Sequence, residues 1–276
     1  MTPRVSAIHN NRDHRKILAI DGKVAYTGGV NIADEYINVI ERFGHWKDGG
    51  VRVEGDAAIG FVKLFLSAWD FTTGSVSNYS DYFIEKSGEL SSDGGYYIPF
   101  GTGPLPIYSR SVGKDVFINL INQAERYVYI TTPYLIIDYA LTDALKCAAL
   151  RGVDVRIITP TIPDKKGIKV MTKSSYPTLM ESGVRIFEYL PGFIHEKLMV
   201  VDDLYAVVGT INLDYRSLVH HFEDALWTYR SPIVLDAKKN FLNTVELSRE
   251  MDERSARLSF SEKLFKSINQ LFAPLL

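Results

Sequence analysis

The sequence predicts an α/β protein in which two related units pack around a pseudo-twofold axis. Three observations lead to this prediction: a motif that occurs twice, an alternation of strands and helices in the second half, and an ordinary globular composition. Hydrophobic residues make up 46% of the 276 residues, which is ample for a buried core. We expect the functional site at the interface between the two units.

The repeated motif is the strongest signal in the chain. Residues 14–31 read HRKILAIDGKVAYTGGVN, and residues 195–212 read HEKLMVVDDLYAVVGTIN. Both copies spell H-x-K-x4-D-x6-G-x-x-N, so five residue types match at identical spacing. Self-similarity of this kind indicates two copies of one structural unit.

The second half of the chain alternates between strand and helix patterns, which favours a sheet covered by helices. Helical spacing is found at residues 140–152 and, in part, at 165–183. Apolar, β-rich runs predict strands at 126–135, 153–160, 184–190, 195–201 and 205–210. Because side-chain direction in a strand repeats every two residues, each motif's His and Lys are expected on one face.

The first half predicts a hairpin that turns at Asp21-Gly22, followed by a strand at 51–55 and an amphipathic helix at 56–71. Residues 72–95 are rich in Ser, Gly and Asp and are expected to form a loop or linker. Two helical patterns, at 236–254 and 261–272, end the chain.

These elements predict a first domain with linker at residues 1–95 and a second domain at 96–276. Only 13 residues precede His14, whereas about 85 residues of strand–helix–strand pattern precede His195. We therefore expect the first unit to be incomplete at its N-terminus, either because the sequence is a fragment or because the natural protein starts late.

Composition and charge exclude several classes of protein. The net charge of −2 argues against a broad nucleic-acid-binding surface, which is normally basic. No run reaches the ~18 uncharged apolar residues that span a bilayer, so any membrane contact is expected to be peripheral. The opening MTPRVSAIHNNRDHRK has no apolar core, so no signal peptide is expected. The single cysteine, Cys147, is predicted to be buried in a helix and cannot form an intrachain disulfide.

The chemistry of the motif favours phosphoryl transfer. Each copy offers an imidazole, an ammonium group and a carboxamide. Two converging sets would place two Lys and two Asn around one phosphoryl group, with a His on either side to attack phosphorus and to protonate the leaving alcohol. A metal site is disfavoured, because H-x-K lacks a second ligand and the usual zinc spacings are absent. A purely structural role for two His at matched spacing is also disfavoured.

The motif resembles the HKD motif of the phospholipase D superfamily. Several further segments in order, among them ITTPY, ALRGVDVRIITP, HWKDGGVRVEGDA and HFEDA, resemble bacterial cardiolipin synthases. The resemblance runs from about residue 8 to the C-terminus and corresponds to the C-terminal portion of such an enzyme. It implies two phospholipase D-like α/β units, a missing N-terminal part that usually carries a membrane anchor, and no metal or other cofactor.

The resemblance also implies roles for individual residues. His14 matches the nucleophile, and His195 matches the general acid that later serves as general base. Asp21 and Asp202 match the motif aspartates, which we expect to be structural. The phosphate-binding positions of the family correspond to Lys16, Asn31, Lys197, Asn212 and Thr210. Gly29 stands where Thr210 stands in the second copy, and it removes one hydroxyl donor.

Each catalytic His needs a carboxylate that fixes its tautomer. Asp48 and Glu223 match the acidic positions that follow the two motifs, with a turn residue and a surface charge as the alternatives. Asp34 and Asp214 are nearer in sequence but are more typical of capping or turn positions. The pair His220-His221 could bind a ligand, although flanking the acidic strand is the favoured interpretation.

The resulting hypothesis is a transphosphatidylase that joins two phosphatidylglycerols at the cytoplasmic face of the cell membrane and binds no nucleic acid. The alternatives are phospholipase D or phosphodiesterase hydrolysis, and an inactive chain that needs its missing N-terminal part. The third alternative follows from the bare sheet edges that an incomplete unit would expose.

Overall fold

A computed structural model of the chain describes residues 11–82 and 94–269. Part of the predicted linker, the start of the family resemblance and the end of the last predicted helix lie outside the described residues.

The first copy of the motif lies in a small antiparallel sheet. Its elements are β1 (Arg12–Asp13), β2 (Ile17–Ile20), β3 (Val24–Gly28), β4 (His45–Lys47), β5 (Gly50–Glu54) and α1 (Asp56–Thr73). Strand β3 pairs with β2 on one side and with β5 on the other. The helix that follows β5 covers the sheet with Ala58 and Phe61, both of which are buried.

The second copy lies in a large mixed sheet. The strands of this half of the chain are β6 (Tyr96–Thr102), β7 (Tyr127–Thr131), β8 (Leu135–Ile136), β9 (Asp154–Pro160), β10 (Arg185–Tyr189), β11 (Gly192–Ile194), β12 (Leu198–Val201), β13 (Tyr205–Gly209), β14 (Leu213–Asp214), β15 (His221–Tyr229) and β16 (Ser248–Glu250). Its helices are α2 (Val112–Gln123), α3 (Tyr139–Leu150), α4 (Lys166–Ser174), α5 (Tyr176–Met180), α6 (Pro232–Glu246), α7 (Glu253–Ala256) and α8 (Phe260–Asn269).

Among the described residues, nine strands join this large sheet. The order β15-β13-β12-β7-β9-β10-β16 forms its body, and both β1 and β6 pair with β15. Strands β7, β9 and β10 run parallel, as strand–helix alternation predicts. The two short pairs β4–β11 and β8–β14 stand apart from it.

The sheet is buried on both faces. Alternate residues of β7 enter different apolar clusters: Val128 and Ile130 pack with α2 and α3, whereas Tyr127 and Tyr129 pack with α6 and the small sheet. The second of these clusters joins the two motif copies, because Ala25 of β3 and Leu198 of β12 belong to it. The predicted α/β architecture of two packed units is confirmed.

Each motif forms a β-hairpin that turns at its aspartate. Asp21 and Asp202 have φ angles of 53° and 56°, and the turns close through Lys23 N–H to Ile20 O (3.0 Å) and Leu204 N–H to Val201 O (2.9 Å). The turn predicted at Asp21-Gly22 is therefore confirmed. The His and Lys of each motif precede the strand rather than lie in it, because β2 begins at Ile17 and β12 at Leu198.

Two further expectations are wrong. Cys147 is exposed, because the buried stripe of α3 is formed by Leu141, Ala144, Leu145 and Ala148, and residue 147 falls on the opposite side. The helical pattern predicted to run to residue 254 ends at Glu246, because residues 248–250 pair antiparallel with β10 and cover its edge.

Among the described helices, none combines the length and the apolar character needed to cross a bilayer.

Candidate active site

Two short parallel strand pairs bring the motifs together. Strand β1, directly before His14, pairs with the start of β15, and His14 N–H donates to Phe222 O (2.9 Å). Strand β11, directly before His195, pairs with β4, and His195 N–H donates to Lys47 O (2.7 Å). The strand before His14 is thus paired with the strand that carries Glu223, and the strand before His195 is paired with the strand that directly precedes Asp48.

His14 is held by the carboxylate that follows the second motif. Its Nδ1 lies 2.8 Å from Glu223 Oε2 and 3.0 Å from Oε1. The glutamate side chain is fully buried, and the hydroxyls of Ser217 and Thr210 donate to its two oxygens. Because the ionised carboxylate only accepts, Nδ1 of His14 carries the proton and its Nε2 is left free to react.

His195 is held in the same manner by the carboxylate that follows the first motif. Its Nδ1 lies 2.8 Å from Asp48 Oδ2, and both side chains are more than nine-tenths buried. The other oxygen, Oδ1, accepts from the backbone N–H of Gly49 (2.9 Å). The predicted acidic residues Asp48 and Glu223 therefore contact the histidines, each with the partner from the opposite motif.

Gly29 makes room for Asp48. A Cβ on Gly29 would lie 2.0 Å from Asp48 Oδ1, so any side chain there would displace the carboxylate. In the second copy the equivalent Thr210 reaches Glu223 with its hydroxyl. Compared with Thr210, Gly29 lacks a hydroxyl donor but leaves room for the carboxylate of Asp48. The backbone N–H of Gly49 donates to that carboxylate instead.

The two motif lysines lie next to the histidines, with Lys197 buried and Lys16 half-buried. Lys16 Nζ donates to His14 O (2.7 Å), and Lys197 Nζ donates to His195 O. Burial lowers the pKa of both lysines, that of Lys197 to about 7, although the carboxylates of Asp48 and Glu223 act to raise it. The charge of Lys16 also lowers the pKa of Lys197, so the two ammonium groups lie close enough to interact.

Each motif asparagine is linked to a histidine through an intermediate residue. Asn31 Nδ2 donates to the hydroxyl of Tyr36 (2.5 Å), and the Tyr36 ring contacts the His195 ring edge-on at 5.3 Å. Asn212 is buried, and its Oδ1 has no hydrogen-bond partner among the described residues. Its backbone N–H donates to Ser217 Oγ (2.8 Å), and that hydroxyl donates to Glu223, the partner of His14.

The motif aspartates lie away from the reacting groups. Asp202 accepts hydrogen bonds from the backbone N–H groups of Glu125, Arg126 and Tyr127 at 2.7 to 2.9 Å, and it ties the hairpin to the start of β7. Asp21 is an exposed turn residue. These positions agree with the structural role expected for both.

The alternative acidic residues do not contact either histidine. Asp214 Oδ1 accepts from Ser217 N–H (2.8 Å) at the start of a short π-helix, Arg216–His220. Asp34 begins a short 3-10 helix, Asp34–Ile37. Both occupy the capping or turn positions that their sequence contexts predict.

The protonation states of the two pairs follow from burial and charge. Burial, together with the charge of Lys197, lowers the pKa of His195 to about 3, against the opposing pull of Asp48. Burial acts to raise the pKa of Glu223, but the hydrogen bond and charge of His14 outweigh it and hold that pKa at about 2. Before substrate binds, His195 is therefore neutral and Glu223 is ionised at neutral pH.

Sequence reasoning missed three residues of this region. Ser217 orients Glu223, and Tyr36 holds Asn31. Asp224 ties the two units together, because it accepts from Thr27 Oγ1 (2.5 Å) and from Lys16 N–H (3.2 Å). No spacing rule predicts these contacts. The only available signal was a second acidic residue beside Glu223 in a strand that is otherwise apolar.

Residues 117–245 match the sequence family described as "Cardiolipin synthase, PLD-like domain". Over its whole length the chain is 48% identical to an uncharacterized protein of Streptococcus mutans and covers 59% of it. It is 35% identical to a cardiolipin synthase of Alkalihalophilus pseudofirmus, with 97% of this chain and 53% of that protein covered. A cardiolipin synthase of Staphylococcus aureus is also 35% identical, with 99% and 55% covered.

Among solved structures, the fold is similar to a phosphatidylserine synthase of Haemophilus influenzae, with a TM-score of 0.74 over 98% of this chain and 73% of that one, at 17% identity. The chain spans about half the length of the curated relatives it matches.

Residues 117–245 thus match the phospholipase D-like domain of cardiolipin synthases. The whole chain is similar to the C-terminal portion of bacterial cardiolipin synthases.

Proposed function

We propose that this chain carries the paired catalytic motifs of a transphosphatidylase of the cardiolipin-synthase type. The reaction joins two phosphatidylglycerols into cardiolipin and releases glycerol. One observation carries the proposal: each motif histidine is fixed through Nδ1 by a buried carboxylate of the other motif, which leaves two Nε2 atoms available. Two such imidazoles on either side of a phosphoryl group suit in-line displacement in two steps.

In the first step, Nε2 of His14 attacks the phosphorus of phosphatidylglycerol. The bond from phosphorus to the glycerol oxygen breaks, and that oxygen takes a proton from Nε2 of His195. A phosphatidyl-histidine forms at His14. His195 must be protonated for this step, and the negative phosphodiester, once bound, offsets the charge of Lys197 and raises the pKa of His195.

In the second step, Nε2 of His195 accepts the proton of a hydroxyl on a second phosphatidylglycerol. The oxygen attacks phosphorus, the bond to His14 breaks, and its electron pair returns to the imidazole. The products are cardiolipin and a free His14, with His195 protonated for the next cycle.

We infer that Lys16, Lys197, Asn31 and Asn212 bind the phosphoryl oxygens. The lysines are cations held beside the histidines, and the carboxamide of an asparagine offers its Nδ2 as a donor to a phosphoryl oxygen. The hydroxyl of Thr210 is committed to Glu223, so we assign this residue a positioning role.

The substrate requires access to a lipid surface, and we propose peripheral contact at the cytoplasmic face of the membrane. The segment next to Asn31 and Tyr36 supports such a contact, because Val30, Ile32 and Ile37 expose 46%, 109% and 66% of their surface. Exposed branched side chains next to a site are typical of surfaces that meet lipid or another protein.

The experiment is incubation of the purified chain with phosphatidylglycerol vesicles in EDTA, followed by mass spectrometry of the lipids. The expected product is cardiolipin, absent with His14→Ala and with His195→Ala. Phosphatidic acid in place of cardiolipin would indicate hydrolysis. Activity that EDTA abolishes and a divalent metal restores would contradict the metal-free mechanism. A folded wild-type chain without any product would refute activity of this chain on its own.

A phosphohistidine hydrolyses in acid, so the reaction is quenched without acid. The protein is then digested at alkaline pH, and its peptides are analysed by mass spectrometry. We expect the added phosphatidyl mass on the peptide that contains His14. The same mass on the peptide of His195 would reverse the two roles.

A further inference from the structure

A third histidine lies at the active site without a role in the proposed reaction. The His221 ring lies 5.7 Å from the His14 ring, centroid to centroid, and its side chain is only 14% exposed. Both of its ring nitrogens are buried and have no hydrogen-bond partner among the described residues. Buried imidazole nitrogens without partners are costly, which calls for an explanation.

Glu223 does not need His221 as a donor. Its oxygens already accept from His14, Ser217 and Thr210, whereas His221 Nδ1 lies 3.5 Å from Oε1, beyond ordinary hydrogen-bond length. The His221 ring is therefore directed at the carboxylate, with which it makes only a long contact.

His14, His221 and Glu223 each offer a ligand atom, and these atoms lie within 4.8 Å of one another. Two imidazole nitrogens and one carboxylate oxygen form the ligand set of many three-ligand zinc sites, in which water takes the fourth position. We propose that these three residues bind a divalent transition ion such as Zn²⁺ or Co²⁺, and that the bound ion inhibits the enzyme.

Inhibition is expected because the ion takes the place of the proton on Nδ1 of His14. A metal at Nδ1 of His14 displaces the proton that this atom shares with Glu223, and the neutral imidazole then carries its proton on Nε2. Nε2 has no free electron pair left to attack phosphorus, and the carboxylate no longer stabilises a positive imidazole.

Direct metal binding tests the site without reference to catalysis. Chain stripped with EDTA and freed of chelator is titrated with Co²⁺ and Zn²⁺, and binding is followed by cobalt absorption and calorimetry. We expect one ion per chain, and at least tenfold weaker binding for His221→Asn. His220→Asn is the matched control and should bind as the wild type does. Mg²⁺, which prefers six oxygen ligands, should not compete.

Circular dichroism confirms that each variant is folded. Equal metal affinity in the wild type and His221→Asn would overturn the proposal.

The inhibitory effect, unlike the binding, rests on the proposed function. With phosphatidylglycerol vesicles, Zn²⁺ should suppress product formation by the wild type, and EDTA should restore it. His221→Asn should retain activity in EDTA and resist Zn²⁺. If metal binding depends on His221 but the chain shows no turnover, the metal site is supported and the proposed activity is refuted. Turnover that Zn²⁺ inhibits equally in wild type and His221→Asn would refute the site and leave the activity.

Discussion

Nδ1 of His14 lies 2.8 Å from Oε2 of Glu223, although 209 positions separate the two residues in the chain. The contact exists because β1 enters the large sheet beside β15, in register with residues His221 and Phe222. The equivalent contact of the other copy joins His195 to Asp48, which are separated by 147 positions in the chain. Each histidine therefore depends on the opposite motif for the tautomer that its proposed role requires.

Glu223→Gln should reduce transphosphatidylation by about 10²–10⁴-fold while the chain stays folded. The amide keeps the shape of the side chain but removes the negative charge that fixes the tautomer of His14 and stabilises its positive form. Initial rates with phosphatidylglycerol vesicles measure the effect.

The matched control is Glu54→Gln, which changes an exposed carboxylate on β5. It should leave the rate within about twofold of the wild type. A Glu223→Gln rate equal to that of the control would show that the carboxylate is not needed to orient His14.

Gly29→Ser should abolish activity and destabilise the fold by about 1–3 kcal/mol. The new Cβ would lie 2.0 Å from Asp48 Oδ1, so the carboxylate must leave His195 or the backbone must shift. Urea unfolding and vesicle assays measure the two effects. Val76→Ala, at a residue that is 95% exposed, serves as control, and a fully active Gly29→Ser would contradict the packing described.

Stability should fall as the pH drops from 7 towards 4, in part because of His195. Its pKa is about 3 in the folded chain and near 6.5 when unfolded, so between these values the unfolded chain binds the extra proton. The stabilisation present above pH ~6.5 is lost as the pH falls towards 3, on the order of 2–3 kcal/mol by pH ~4.

His195→Asn keeps a donor for Asp48 but cannot titrate. Its stability should therefore depend less on pH over this range, in urea unfolding at pH 7, 6, 5 and 4. Parallel curves for wild type and variant would indicate that His195 is not held neutral.

Asp224 should act in the opposite direction. Burial raises its pKa to about 7, so between pH ~4 and ~7 the folded chain keeps a proton that the unfolded chain loses. Its contribution is fully present below the unfolded pKa and is lost as the pH rises through about 7. Asp224→Asn should therefore become the more stable protein at pH 8. The difference in unfolding free energy between variant and wild type should shift in favour of the variant by on the order of 2–4 kcal/mol between pH ~4 and pH 8. A constant difference in unfolding free energy across this range would refute the raised pKa.

The local parts of the fold could be predicted from the sequence. The hairpins follow from apolar runs around Asp21-Gly22 and Asp202, and the parallel strands follow from their alternation with helices. Periodicity could not separate the extended residues His195–Lys197 from β12, because both have the same extended pattern. The exposed position of Cys147 depends on which side of α3 faces the sheet, and an apolar helix pattern alone does not reveal it.

The composition of the site was predictable, but its connections were not. The resemblance to cardiolipin synthases implied Asp48 and Glu223 as the acidic partners. The exchange of these partners between the two motifs depends on two strand pairings of only two and three residues. Pairings this short leave no periodic signal. The cluster of His14, His221 and Glu223 likewise arises from the register of β1 on β15, so a search for ligand spacing within one segment does not find it.

The exchanged carboxylates bear on the origin of the molecule. In a single motif unit, neither the histidine nor the acidic residue would have its hydrogen-bond partner. In a dimer of two identical units, each histidine would bind the acidic residue of the other unit. The crossed arrangement is therefore what a gene duplication would inherit from an ancestral homodimer, and it would oblige the fused halves to diverge together, since a change in either acid disables the histidine of the other half.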